Sequence, residues 1–126
     1  MTAGVASTLA NSWLNMLRGV AFTAPAGTFI KLHIGDPGSA GTANPSAVTT
    51  RQTATFSAAA SGAIALSNSP AFSMTSTETV SHISVWSDVS AGTFLWSAAL
   101  TTSKAVVATD TLTLSSCGFN LTPLAA

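Results

Sequence analysis

Charged residues are scarce in this chain of 126 residues, which has four basic and four acidic side chains and a net charge of zero. An ordinary soluble domain carries about a quarter charged residues, which help to keep separate copies apart. The surface here must instead be built from Ser, Thr, Ala and Gly. Such a surface is typical of a subunit that other protein covers in a large assembly. Four scattered basic residues form no positive patch, so we expect no nucleic-acid partner.

A second cysteine and a long apolar run are both absent from the sequence. The single Cys117 excludes an internal disulfide. No apolar run approaches the roughly 20 residues of a membrane-spanning helix, so we expect no membrane partner. The segment Ala24-Pro25-Ala26 resembles a signal-peptide cleavage site, but Arg18 falls where the apolar segment should lie, and we expect no cleaved signal.

The chain nevertheless has enough apolar residues to fold. It is 47% hydrophobic, with a mean hydropathy of +0.47. Disordered chains combine low hydrophobicity with high net charge, which is the opposite composition. Its length allows one hydrophobic core, and we predict a single domain over residues 1–126.

The spacing of apolar residues predicts one N-terminal helix over residues 8–18. Five apolar residues recur every three or four positions and form one stripe: Leu9, Trp13, Met16, Leu17 and Val20. Ser7 or Thr8 can cap the start of this helix, and Gly19 suits the position after its last turn. We assign residues 1–24 to a helical arm of the domain.

Beyond residue 28 the apolar period changes to two, which predicts strands. Over residues 29–34, Ile30 and Leu32 alternate with Lys31 and His33, so we expect His33 on a solvent-exposed face and Ile34 inside. The same reasoning places Ile83, Val85, Leu112 and Leu114 in the core. Further strands are predicted near Val48–Phe56, Ala63–Leu66, Ala71–Met74, Val80–Ser87, Thr93–Leu100, Lys104–Val107, Thr111–Leu114 and Cys117–Thr122.

Turn residues fall between these strands every eight to twelve positions. This rhythm is typical of antiparallel sandwiches and barrels rather than of alternating strands and helices. The predicted fold class is therefore mainly β: an antiparallel β-sandwich of about eight strands over residues 28–122, with one N-terminal α-helix.

The residue types of catalytic and metal sites are few and scattered. His33 and His82 with Asp36, Asp88 or Cys117 could form a metal site or a nucleophilic triad. However, no HxH, CxxC or G-x-S-x-G spacing supports either site. We therefore predict a protein that is not an enzyme and that holds no metal or cofactor. Cys117 is then a small buried hydrophobe, and His33 an exposed residue or a contact at a subunit interface.

Trp86 and Trp96 leave a further alternative open. Aromatic residues with one exposed face can stack on sugars, which would make the chain a carbohydrate-binding module. Aromatic residues at a period of two more often belong to a core or an interface, and exposure of the rings would discriminate between these interpretations.

Five segments form a pattern that covers nearly the whole chain in order. They are Leu32–Gly38 (LHIGDPG), Thr50–Phe56 (TRQTATF), Thr79–Trp86 (TVSHISVW), Ala91–Leu100 (AGTFLWSAAL) and Thr109–Leu114 (TDTLTL). After an N-terminal helix, this pattern resembles a family of small virion proteins from tailed phages of actinobacteria, labelled minor capsid, head decoration or tail-fibre-like. Three positions depart from the family pattern. Ser84 stands where glycine is usual, the single Gly92 stands where two consecutive glycines are usual, and Trp96 stands where a small residue is common.

The resemblance implies a structural protein of a phage virion. The leading expectation is a minor capsid or decoration protein that binds and stabilises the major capsid protein, as a homo-oligomer for which a trimer is one possibility. The alternative is a tail fibre, tail-tip or tail-surface component. We expect the loop over residues 35–50 to form contacts and to tolerate shortening between Ser39 and Asn44. The candidate interaction residues are Trp13, Leu17, His33, Asp36, Pro37 and Trp96.

Overall fold

The computed structural model describes residues 3–121. Its helix and strands follow one another as α1 (Ser7–Leu17), β1 (Phe29–His33), β2 (Gln52–Thr53), β3 (Ala63–Ala65), β4 (Ala71–Ser73), β5 (Glu78–Trp86), β6 (Phe94–Val106), β7 (Thr111–Thr113) and β8 (Gly118–Asn120). All of these strands pair in antiparallel fashion. The predicted mainly β, antiparallel fold with about eight strands and one N-terminal helix is confirmed.

The largest sheet has four strands in the order β2-β1-β5-β6. Its register pairs Leu32 with Ile83 and Lys31 with Ser84. Because successive side chains of a strand point to opposite faces, this register defines two faces. We call them the core face (Ile30, Leu32, Ile83 and Val85) and the loop face (Lys31, His33, Ser84 and Trp86).

Two shorter strand pairs, β3-β8 and β4-β7, complete the β structure. Phe72 of β4 and Leu112 of β7 belong to the same buried cluster as the core face of the large sheet. Ile83, Val85, Leu112 and Leu114 are all buried, as the sequence predicts. One contiguous core therefore joins the four-stranded sheet to β4-β7, and Ile64 and Phe119 of β3-β8 pack against it.

The segment before α1 runs along the outer edge of β6. The Ala6 N–H donates to the Leu95 carbonyl at 2.8 Å, and the Ser97 N–H donates to the Gly4 carbonyl at 2.8 Å. The helix begins directly after this pairing, so its N-cap is Ala6, without a side-chain hydrogen bond. The predicted Ser7 or Thr8 cap is wrong for this reason.

The end of the helix follows the sequence pattern. The Gly19 N–H donates to the Met16 carbonyl, and Gly19 has a φ of +88°. Glycine adopts this left-handed conformation without the steric penalty that a Cβ atom brings.

The clearest differences in strand extent concern four of the predicted strands. The predicted strand over residues 48–56 contains only the two residues of β2. The strands predicted at 93–100 and 104–107 are parts of one strand, β6. Its pairing with β5 continues through an irregularity, where the register shifts between Val80 and His82 of β5. The strand predicted up to Thr122 ends at Asn120, and Thr122 itself lies outside the described residues.

Candidate functional site

The candidate catalytic residues are not arranged as a reactive site. Within residues 3–121, no three potential metal-ligating side chains come together. His33 and His82 face each other across β1 and β5, but His82 Nδ1 lies 2.8 Å from its neighbour, the Ser81 hydroxyl. Burial raises the pKa of the half-buried Cys117 thiol, which leaves less of the nucleophilic thiolate at neutral pH.

A chain of buried hydrogen bonds crosses the loop face and includes His33. The Trp86 indole N–H donates to the Ser84 hydroxyl oxygen at 2.8 Å. His33 Nε2 lies 2.7 Å from the same oxygen, and His33 Nδ1 lies 2.8 Å from the Ala43 carbonyl oxygen. Because a carbonyl oxygen only accepts, Nδ1 carries the proton and Nε2 accepts the Ser84 hydroxyl proton. Every polar group of this relay is therefore satisfied when His33 is neutral.

His33 is fully buried, with an exposed fraction of 0%, whereas Ile34 is 48% exposed. The expected solvent-exposed position of His33 and the expected inward position of Ile34 are both wrong. The loop that follows β1 folds back beside this strand, where Pro45 forms an antiparallel β-bridge with His33, and its Ala43 carbonyl meets the His33 ring. Burial lowers the pKa of His33, although its hydrogen bond to the Ala43 carbonyl opposes this effect.

The loop between β1 and β2 sends a few buried residues into the protein interior, although most of its residues are exposed. Gly41 is buried and has a φ of +73°, and a Cβ atom there would lie 2.5 Å from the Phe94 ring. Glu78 accepts hydrogen bonds from the Ser46 hydroxyl and from the Ala47 N–H, and so anchors the second half of the loop to β5. This geometry gives no support to the expectation that residues 39–44 can be removed without harm to the fold.

Asp36 and Pro37 shape the first turn of this loop. The Asp36 carboxylate accepts the Gly38 N–H at 2.8 Å, which is the local hydrogen bond that favours Asp in turns. Pro37 is buried, and its carbonyl accepts the Ala43 N–H. Both residues therefore have a structural role, and their predicted role as contact residues stays a prediction.

Both candidate stacking tryptophans are buried. Trp86 is 8% exposed, and the Arg51 guanidinium covers its ring at 4.2 Å from the ring centroid. Trp96 is 6% exposed and packs between Phe56 and Phe119. Neither ring offers a free face for sugar stacking, so the alternative of an exposed aromatic platform at these two residues is wrong, and the favoured interpretation of buried aromatic residues agrees with the structure.

The most conspicuous exposed feature is an apolar groove beside α1. Leu17, Leu14 and Leu121 are 82%, 62% and 58% exposed, and the Trp13 ring packs edge-on against Phe119 with centroids 5.5 Å apart. None of the charged residues in the described part of the chain lines this groove. We call it the α1 surface, formed by Val5, Ala10, Trp13, Leu14, Met16, Leu17, Phe119 and Leu121.

The α1 surface explains why the predicted apolar stripe is only partly buried. Leu9 alone is buried in α1, and Trp13 is half-buried. Met16, Leu17 and Val20 are exposed, so the apolar stripe that the spacing predicts extends beyond the part of the helix that packs against this domain. The helix packs against the core through Leu9 and Trp13 of its first two turns, and Met16 and Leu17 of its last turn are exposed.

Two of the six candidate interaction residues, Trp13 and Leu17, lie together in the α1 surface. His33, Pro37 and Trp96 are buried elsewhere, and Asp36 lies in the loop. Sequence reasoning missed Leu14 and the β8 residues of this surface. Leu14 follows Ala10 by four positions and precedes Leu17 by three, so a helical projection would have found it. Phe119 and Leu121 reach the helix only through the β3-β8 pairing, which has no local sequence signal.

Comparison with known proteins places the chain in a family. No curated protein matches the chain. A family model described as podophage GP4 fiber I protein gp80 matches residues 4–122, which is nearly the whole chain. The expected resemblance to phage virion proteins is confirmed at this level, and the match does not test the actinobacterial origin of the motifs. The chain therefore belongs to the podophage GP4 fiber I protein gp80 family, a family of phage virion proteins.

Proposed function

We propose that this protein is a non-enzymatic structural subunit of a phage fibre, and that it is incorporated into the virion through protein–protein contacts. The family match over residues 4–122 carries this proposal, because the description of that family names a fibre protein. The expectation of a tail component agrees with this description more closely than the expectation of a minor capsid or decoration protein.

The surface chemistry supports a role in assembly. Burying a charged side chain in an interface is costly unless that charge is paired and hydrogen-bonded. The protein has eight charged residues in all, so large parts of its surface can be covered without this cost. The α1 surface adds exposed leucines, and burying them in a contact would stabilise that contact because apolar surface is removed from water.

The arrangement of the loop face also supports a structural role. The histidine that sequence reasoning considered for catalysis holds the loop over residues 34–51 against the sheet, through its bond to Ala43. Arg51 anchors the end of the same loop by donating to the carbonyls of Asp88 and Ala91. These residues stabilise one conformation of the subunit, which a repeated contact in a virion requires.

Location and copy number in the virion test this proposal. Purified particles would be labelled with gold-conjugated antibodies against this protein, with antibodies against the major capsid protein as the control. Quantitative mass spectrometry would give the ratio of the two proteins. We expect gold on the tail fibres and a small ratio to the major capsid protein. Gold spread over the head, with a ratio near that of a shell component, would overturn the fibre assignment in favour of a decoration protein that binds the major capsid protein.

A further inference from the structure

The α1 surface has no occupant within the described part of the chain. Of the nine large hydrophobic residues that are exposed in this part, five line the α1 surface: Val5, Leu14, Met16, Leu17 and Leu121. Exposed apolar residues scattered one by one are ordinary, whereas a contiguous cluster marks an interaction site.

We propose that the α1 surface is an interface between two copies of this chain, with their α1 helices packed side by side and antiparallel. The proposal deepens the proposed function by naming one partner of the subunit. It requires only that copies meet during assembly, so it can fail while the fibre assignment holds.

Charge favours a second copy as the occupant. Among the described residues, the α1 surface is lined by no charged side chain and the helix carries no acidic residue, so a strongly charged partner would lose hydration there without an ion pair inside the groove. Two copies of this chain do not repel each other at long range, because the net charge is zero. A second copy also brings the same cluster of exposed leucines, which makes the interface self-complementary, as a two-fold contact requires.

Charge also selects the antiparallel arrangement. Arg18 follows the last residue of α1, and its guanidinium donates to the Asn15 side chain at the exposed end of the helix. Parallel helices would place the Arg18 residues of the copies next to one another, and their helix dipoles would be aligned unfavourably. Antiparallel helices separate the two arginines and oppose the dipoles. With Leu14 near the centre, the two Arg18 positions are about 12 Å apart along the axis, at 1.5 Å per residue.

Sedimentation equilibrium of the purified protein tests the interface. We expect a dimer whose dissociation constant changes little between low and high salt, because apolar contacts are not screened. Leu17→Lys should raise that dissociation constant by at least about 30-fold, since it buries an unpaired charge in the apolar contact. The side chain of Leu17 is 82% exposed in the single subunit, so the variant should fold.

Val107→Lys is the matched control. Val107 is also exposed, at 51%, but it lies outside the α1 surface, and its substitution should leave the dissociation constant unchanged. A wild-type protein that stays monomeric at high concentration would overturn the proposal, as would equal effects of the two substitutions. Binding to neutral lipid vesicles without dimer formation would also overturn it.

Cysteine cross-linking tests the helix orientation. In a Cys117→Ser background, which removes the one native thiol, Leu14→Cys should form an intermolecular disulfide under mild oxidation. Arg18→Cys should not, because a disulfide needs Cα atoms within about 7 Å of each other. Cross-linking at both positions would contradict the antiparallel arrangement and favour parallel helices, as in a trimer. If a monomeric protein still labels the fibres, the interface proposal fails and the proposed function holds.

Discussion

The core face and the loop face of the four-stranded sheet are buried by different means. Leu32 and Ile83 of the core face lie in one apolar cluster with side chains of β4 and β7. On the loop face, the relay of Trp86, Ser84 and His33 ends on a backbone carbonyl of the loop. Apolar packing depends on volume and tolerates small readjustments, whereas a buried relay depends on the protonation state and geometry of each member. The two faces should therefore respond differently to substitution and to pH.

The largest effect is expected on the core face. Ile83→Ala should lower the free energy of unfolding by about 2–5 kcal/mol, because it removes a packed side chain and leaves a cavity. Ile83 is 2% exposed, so little of the lost contact can be replaced by water. Urea denaturation of both proteins measures the difference. An unchanged unfolding midpoint would contradict the register that places Ile83 on the core face.

A comparison of two glycines tests how firmly the loop belongs to the interior. Gly41 and Gly19 both have a positive φ, at +73° and +88°, so an alanine at either position is strained by about 1–2 kcal/mol. A Cβ at Gly41 also meets the Phe94 ring, whereas a Cβ at Gly19 has nothing within 4 Å. We therefore expect Gly41→Ala to destabilise the protein by about 1–3 kcal/mol more than Gly19→Ala does. Equal destabilisation would mean that the loop moves away from β6 at little cost.

Sequence periodicity predicts the core face better than the loop face, for a physical reason. Alternation of Ile30 and Leu32 with polar residues correctly places the apolar side chains inside. Polar residues at the other positions usually face water, which led to the wrong expectation for His33. The side chain of His33 is satisfied by Ala43, ten residues away, and by Ser84 on another strand. A period of two carries no information about either contact.

In the helix, local spacing predicts which residues are apolar neighbours but not which of them are exposed. Its position, its length and the glycine at its end follow from local spacing. The stripe formed by Trp13 and Leu17 also exists, but periodicity does not say what covers it. The sequence pattern could thus identify two residues of the α1 surface, while their exposure required the fold.

The pH dependence of stability should come from the loop face. Burial holds the pKa of His33 below its ordinary value, so between these two values the unfolded chain binds more protons than the folded one. The contribution of neutral His33 to the free energy of unfolding is therefore fully present above about pH 6.5. Below that pH the free energy of unfolding falls, by at most about 1.4 kcal/mol per pH unit. Urea titrations from pH 7.5 to 5 measure this slope.

The control for this slope is His33→Gln. Glutamine can donate a hydrogen bond but does not titrate, so the variant should be less stable than the wild type at neutral pH and should have a shallower slope. An identical slope in the two proteins would assign the pH dependence to other groups. A wild-type protein that gains stability on acidification would contradict the burial of a neutral histidine.

The smallest effect is expected for a tryptophan on the core-face side of the sheet. Trp96 pairs with Val85, and within the described residues its indole nitrogen is a buried polar atom without a hydrogen-bond partner. An unsatisfied buried donor costs about 1–3 kcal/mol. Trp96→Phe removes this penalty but also removes packing volume, and the two effects on the free energy of unfolding largely cancel.

Trp86→Phe deletes the same atoms on the loop face, but it breaks a hydrogen bond to Ser84 and a cation–π contact with Arg51. We expect Trp86→Phe to be the more destabilising of the two by about 1–2 kcal/mol in urea denaturation. The reverse order would show that the indole of Trp96 has a partner in solution, and that the two faces of the sheet differ less in polarity than their hydrogen bonds indicate.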